Sequence, residues 1–285
     1  METINICYAS DEEYLPICGV SLYSLLKNSS YNYFNIYILY HKYNISVNSI
    51  EKFCDFFTKT FQYMQLKIIF IDISLYLENN HMNFQKPIKR ISEATYYRLF
   101  LDEYIKEDKL LYLDCDTIVL EDVLNLWQVD ISNYLFSACC DRGSILFREY
   151  ISNALKTNPD TYFNAGVILF NLKEYHKRKI KNKCVQLLNS KTNFHYADQD
   201  ILNICGDEQT LLLNNYWNKQ WNDLAFPEKY NDKQDWSEVG IIHYTTAKKP
   251  WNNLNIENSN LFWYYALQTP YGSLLAIKYF ESQKE

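Results

Sequence analysis

Three short apolar runs, INICYA (residues 4–9), NIYILY (35–40) and LKIIFID (66–72), are separated by two segments of helical periodicity. That alternation narrows the fold more than any other feature of the chain. The first spacer carries Cys18, Leu22, Leu25 and Leu26 at i, i+4, i+7 and i+8, with Pro16 near its start. In the second, Ser46 can cap a helix whose buried face is Ile50, Phe53, Phe57 and Phe61. A β-α-β-α-β order predicts a parallel sheet covered by helices on both faces. The spacing then predicts a helix from about Ser92 to Ile105, with Ala94, Tyr97, Leu101 and Ile105 inward and Arg98 at the edge of that face. It feeds a strand within KLLYLDCDTIVL that ends at Asp114, and further strands follow at LFSACC and GVILFNL. The 285 residues have room for one large α/β domain, read as residues 1–252, followed by a helical extension over 253–285.

An apolar content of 48% with 17% aromatics argues against disorder, and a net charge of -6 gives no electrostatic footprint for nucleic acid. The expected partner is a small molecule or a membrane-borne one. None of the eight cysteines forms a CxxC pair and several sit in apolar runs, so they read as reduced. METINICYAS has no basic start and no apolar signal core, and no apolar stretch reaches the roughly 20 residues that span a bilayer. The expected location is therefore cytoplasmic, and the sequons at Asn28 and Asn44 carry no weight. KEYHKRKIKNK (173–183) reads most simply as a solvated helix face, with an anionic membrane surface as the alternative. The aromatic tail, residues 262–280, suits a lipid interface, although ordinary packing onto the domain is the simpler reading.

Six glycines form neither GxGxxG nor GxxxxGK[ST], so any phosphate must be held by a metal and by cations. Asp114 and Asp116 lie two apart at a strand end, where their carboxylates can share one divalent cation. Asp11 also follows an apolar strand. In open parallel sheets ligands bind beyond the carboxyl ends of the strands, which predicts that Asp11, Asp114 and Asp116 meet in one crevice. His243, in IIHYTTAKKPW, would complete a set of three ligands with open positions, and Lys249 would neutralise a diphosphate. Each residue also has a bland reading. His243 is a strand-end histidine, Asn164 and Gly166 turn the chain into a strand, and Asp198 caps a helix beginning near Gln199. His41, His81, His176 and His195 have only that kind of reading. Amides and carboxylates in such loops also suit the hydroxyls of a sugar.

The ordered segments YASDEEY, ISEATYYRLFLDEYI, KLLYLDCDTIVL, FSACCD, YFNAGVILFNL, ADQDILN and HYTTAKKPW resemble the family 8 glycosyltransferases, from about Ile4 to Trp251. The resemblance implies a GT-A fold: a Rossmann-like, mixed but mostly parallel sheet flanked by helices. It also implies a UDP-hexose donor, Mn²⁺ with Mg²⁺ as the alternative, and transfer with retention of configuration to a glycan, glycolipid or glycoprotein. Lipopolysaccharide or other cell-surface glycan synthesis is the implied setting, with peripheral contact at the inner membrane face. By that resemblance Ala9 and Asp11 hold uridine, Tyr14 stacks on uracil, and Asp114, Asp116 and His243 bind the metal. Lys249 grips the diphosphate, and Arg98, Asp141, Asn164, Gly166 and Asp198 line the donor sugar. Gln199 lies near the anomeric carbon, so Gln199, Asp198 and Asp141 are the expected catalytic group. Two residues depart from the family pattern: Glu13 stands where Asn is usual, and Thr246 where Gly is usual. Two other readings remain at this stage: a non-catalytic sugar-nucleotide or glycan binder, and a DxD phosphohydrolase whose first Asp is the nucleophile.

Overall fold

The computed structural model describes residues 2–82, 84, 92–190, 192–221 and 237–282. Strands β1 (Ile4–Ala9), β2 (Tyr33–Tyr40) and β3 (Gln65–Asp72) pair in parallel, connected by helices α1 (Leu15–Lys27) and α2 (Val47–Thr60). Ser46 caps α2 by accepting from the Ser49 amide. Strand β4 (Lys109–Leu113) adds in parallel beside β1, and β5 (Thr117–Val119) leaves that sheet. Strands β6 (Phe136–Cys140), β7 (Phe163–Asn171) and β8 (Thr210–Leu213) extend the main sheet to the order β3-β2-β1-β4-β7-β6-β8, in which β7 is antiparallel to both of its neighbours. A second sheet, β5-β10-β9, contains β9 (Lys219–Trp221) and β10 (Ile241–Tyr244). This is the mixed, mostly parallel sheet with helical flanks that the sequence predicts.

Period-two alternation divides the core. Ile4, Ile6 and Tyr8 of β1 pack with Leu22, Phe53 and Phe57 of α1 and α2. Cys7 and Ala9, on the other face, pack with Tyr97, Phe100 and Ile201. At the sheet edge β3 is half-exposed along its length, so helices do not cover it as they do the inner strands. The terminal helices Ser259–Ala266 and Gly272–Ser282 dock back through Phe262, Tyr265, Ala266 and Leu275. A Cβ at Gly19 would fall 2.3 Å from the Tyr271 ring, so α1 approaches the tail at a glycine because no larger residue fits.

Four local readings need correction. The predicted helix from Ser92 to Ile105 is a 3₁₀ helix, Glu93–Phe100, followed by one α-turn, Leu101–Tyr104. With three residues per turn, Thr95 and Arg98 eclipse on one face, and Arg98 is buried instead of lying at an edge. Asn164 and Gly166 lie inside β7 and not in a turn before it. Asp198 is the first residue of the helix Asp198–Gly206 and caps nothing with its side chain; the preceding Ala197 takes φ 53°. The basic run 173–183 is solvated as expected, but it spans two helices, Leu172–Lys177 and Ile180–Leu188, broken at Lys179, φ 56°.

Candidate active site and metal centre

Strand register brings Asp114, Asp116 and His243 together. Leu113 opposes Val167, and the Asp114 amide donates to the Gly166 carbonyl at 2.7 Å just past the end of β4. The chain turns through Asp116 into β5, where Thr117 pairs with His243 of β10, and the Tyr244 amide donates to the Asp116 carbonyl at 3.0 Å. One ligand atom each from Asp114, Asp116 and His243 thus comes within 4.8 Å of the others. His243 Nε2 stands 3.2 Å from Asp116 Oδ1 and 3.7 Å from Asp114 Oδ2.

The other carboxylate oxygens are occupied by cations. Lys249 Nζ meets Asp116 Oδ2 at 2.6 Å, and the Arg98 guanidinium meets Asp114 Oδ1 at 2.9 Å. Burial alone would raise the Asp116 carboxyl, but the Lys249 ammonium and His243 outweigh it and hold the group well below the usual carboxylate range. Two oxygens and one imidazole nitrogen therefore face one another with their charge-balancing partners on the far side, which is a donor set that fits Mn²⁺ or a similar divalent ion. Gly166 makes the room: a Cβ there would lie 2.1 Å from His243 Cε1 and 2.8 Å from Asp114 Oδ2.

Arg98 ties this group to Asp198, with Nε 2.9 Å from Asp198 Oδ2 and its guanidinium carbon 4.4 Å from the centre of the Tyr112 ring. Burial disfavours its charge, but Asp114 and Asp198 more than compensate, and the group is pushed above its ordinary value. Thr95 donates to Asp198 Oδ1 at 2.8 Å. Burial nevertheless pushes the Asp198 carboxyl up to about 6, against the pull of Arg98 and Thr95.

Next to Arg98, drawn from the residue after β6, from β7 and from the helix Asp198–Gly206, is a connected set of polar side chains. Asp141 Oδ2 accepts from Asn164 Nδ2 at 2.9 Å and from Gln199 Nε2 at 3.1 Å, while the Ala165 amide donates to Gln199 Oε1 at 3.0 Å. Asn218, immediately before β9, donates to Asn164 Oδ1 at 2.9 Å, and its own Oδ1 lies 3.1 Å from His243 Nδ1.

A cleft of about 380 Å³ opens in front of the metal group, lined among others by Ala9, Asp11, Tyr14, Arg98, Asp114, Asp116, Lys249 and Trp251. The predicted crevice is thus real, and Asp11, Asp114 and Asp116 do meet in it. Asp11 is engaged locally, accepting from the Tyr14 amide at 3.0 Å and from Ser92 Oγ at 2.7 Å. Tyr14 stands edge-on to Trp251 with centroids 6.2 Å apart. Asp141, Asn164, Gly166, Asp198, Gln199 and His243 do not line this cleft; they form the layer behind its inner end. Glu13 and Thr246, the two departures, both line it; Thr246 Oγ1 is buried and has no partner among the described residues. Sequence reasoning missed Asn218, Thr95 and Tyr112. Only the asparagine in NYWNKQWN, just ahead of a short strand, offered a signal for Asn218.

The family model for glycosyl transferase family 8 matches residues 5–255. A Haemophilus influenzae protein whose name places it among glycosyltransferases is 32% identical over 91% of this chain and 78% of its own length. The Escherichia coli lipopolysaccharide 1,2-glucosyltransferase is 29% identical over 94% of this chain and 78% of its own. Among solved structures, galactosyltransferase LgtC, in complex with donor and acceptor sugar analogues, superposes with a TM-score of 0.76 at 24% identity, covering 94% of this chain and 96% of that one. The bifunctional glycosyltransferase WbbM gives 0.80 at 22%, over 97% of this chain, which spans about half of WbbM. These two likenesses speak to the fold. The family match and the 32% relative together mean that the chain belongs to glycosyltransferase family 8.

Proposed function

We propose that this family 8 glycosyltransferase moves glucose or galactose from a UDP-sugar to a cell-surface glycan, glycolipid or glycoprotein, with retention of configuration. The observation that carries the reading is the convergence of Asp114 Oδ2, Asp116 Oδ1 and His243 Nε2 at the inner end of a cleft whose lining includes both aspartates, Lys249 and Tyr14. Mn²⁺ held by those three residues would supply Lewis-acid stabilisation of the charge that builds on the departing UDP. Lys249, already on Asp116, adds a cation beside the diphosphate, so no general acid is required at the leaving group. Tyr14 stacks on uracil, with Ala9 and Asp11 at the uridine.

The sugar occupies the inner end of the cleft, against Arg98 and the layer of Asp141, Asn164, Gly166, Asp198 and Gln199. Gln199 and Asn164 are held by Asp141 before substrate arrives, which favours a fixed polar surface at the anomeric carbon. Asp198 holds Arg98 in place. The acceptor hydroxyl enters on the Gln199 side, where the departing phosphate removes its proton. Residues 1–252 form the catalytic unit and 253–285 an appended helical element whose exposed Tyr264, Leu267, Ile277 and Phe280 suit peripheral contact with the inner face of the membrane. Among the described residues no helix is long and apolar enough to cross a bilayer.

The test is nucleoside diphosphate release, UDP from UDP-glucose, UDP-galactose and UDP-N-acetylglucosamine and GDP from GDP-mannose, each with Mn²⁺ and with a chelator. Release from one UDP-hexose that depends on Mn²⁺ is the expected result. Equal release with chelator present would refute the metal assignment, and preference for GDP-mannose would refute the donor class.

A further inference from the structure

The metal reading requires His243 to ligate through Nε2 the ion that its two carboxylate neighbours would share, and the chain of amides behind the ring sets how Nδ1 is held. Asp141 Oδ2 is an acceptor, so the Asn164 group 2.9 Å away is the amide nitrogen. Asn164 Oδ1 must then face Asn218, and the Gly166 backbone N–H confirms that orientation by donating to the same oxygen at 3.0 Å. Asn218 consequently turns its nitrogen to Asn164, at 2.9 Å, and its oxygen to His243 Nδ1, at 3.1 Å. An oxygen at that position accepts, so Nδ1 carries a proton, and Nε2, 3.2 Å from Asp116 Oδ1 and 3.7 Å from Asp114 Oδ2, is the nitrogen left to take the ion. Asn164, Asn218 and His243 are all more than nine-tenths buried, so no bulk water is at hand to replace a lost partner.

We propose that Asn218 is a positioning residue for the metal centre: it accepts from His243 Nδ1–H, which leaves Nε2 for the ion, and through Asn164 it ties His243 to Asp141. The proposal rests on the metal reading above and deepens it. Asn218 reaches the reacting groups only through His243 and Asn164.

Two substitutions separate the roles of the side chain. Asn218→Leu keeps approximate size and removes both hydrogen bonds. Asn218→Asp keeps an acceptor for Nδ1–H and gives up the donor to Asn164. The proton on Nδ1 is read from the ¹⁵N signals of the full chain labelled at histidine and freed of metal with chelator; His243 is assigned by loss of its signals in His243→Gln. Wild type and Asn218→Asp should show a proton on Nδ1 that exchanges slowly with solvent, whereas Asn218→Leu should lose that protection. Mn²⁺ affinity, followed by the electron paramagnetic resonance of the free ion, should fall about tenfold to a hundredfold in Asn218→Leu and substantially less in Asn218→Asp. A wild-type ring whose Nδ1 is bare or exchanges freely would overturn the proposal, as would an Asn218→Leu protein with wild-type Nδ1 signals and wild-type Mn²⁺ affinity. Should Asn218→Leu fail to fold, the wild-type ring and Asn218→Asp still decide the matter. Failure of wild type to bind Mn²⁺ would refute the metal reading alone, since the ring signals are recorded without metal.

Discussion

On the β1 side of the cleft, Ala9, Asp11, Tyr14 and Trp251 make a wall whose residues, apart from Ala9, are half-exposed and meet through one carboxylate and an edge-on ring contact. Behind the opposite end, Arg98, Asp114, Asp141, Asn164, Asp198, Gln199, Asn218 and His243 are joined to one another by hydrogen bonds and ion pairs, and most of them are buried. The first wall is the edge of an ordinary βα unit, where a flat base can stack and a lost side chain weakens binding alone. In the second, each polar group depends on its neighbour, so the loss of one leaves another buried and unpaired. The two ends should therefore answer mutation differently: the outer wall in donor affinity, the inner layer in metal binding, turnover and fold.

Asp116→Asn should have the largest effect, lowering kcat/KM by about a thousandfold at saturating Mn²⁺ while circular dichroism stays native. Retained activity would remove the inner layer from metal binding. Gly166→Ala comes next, because its methyl group must displace the His243 ring or Asp114. It should weaken Mn²⁺ binding and cost about 1–3 kcal/mol in urea unfolding, and a neutral result would mean that the layer is more yielding than its contacts imply. On the outer wall, Tyr14→Ala should raise the KM for donor about tenfold, as expected for one lost base-stacking contact, and leave kcat nearly unchanged. A fall in kcat equal to that of the inner variants would abolish the contrast.

The smallest expected effect is on pH. The folded carboxyl of Asp198 is raised from its ordinary 3.8 to about 6, so its contribution to stability is present below 3.8 and is lost as pH rises toward and through 6. Measured with chelator between pH 4 and 7, the Tm of wild type should therefore fall relative to that of Asp198→Asn as pH rises. A constant difference would show that Arg98 fully compensates the buried charge.

The scaffold was legible because its strands and helices carry one signal each, an apolar run or a periodic stripe, as in β1 to β3 with α1 and α2. The convergence of Asp114, Asp116 and His243 was legible because residues able to hold a metal are few in kind and strand ends bring them together. Arg98 was misplaced because an α period was applied to a 3₁₀ segment, which turns the side chain inward. Asn164 and Gly166 read as a turn since nothing local reveals that β7 continues through them, antiparallel to β4. Asn218 was invisible for a different reason: its role lies in the order of donors and acceptors along a chain of four side chains drawn from β7, β10, the residue before β9 and the residue after β6, and no segment of sequence contains that order.

The central claim, that a fixed inner metal centre and an adaptable aromatic wall together bind the nucleotide, is tested most directly by calorimetric titration of UDP with Mn²⁺ and with chelator, on wild type, Asp116→Asn and Tyr14→Ala. The account predicts tight UDP binding only with Mn²⁺, loss of that metal dependence in Asp116→Asn, and weaker but still Mn²⁺-dependent binding in Tyr14→Ala. UDP binding of equal strength in chelator, or unchanged in Asp116→Asn, would contradict it.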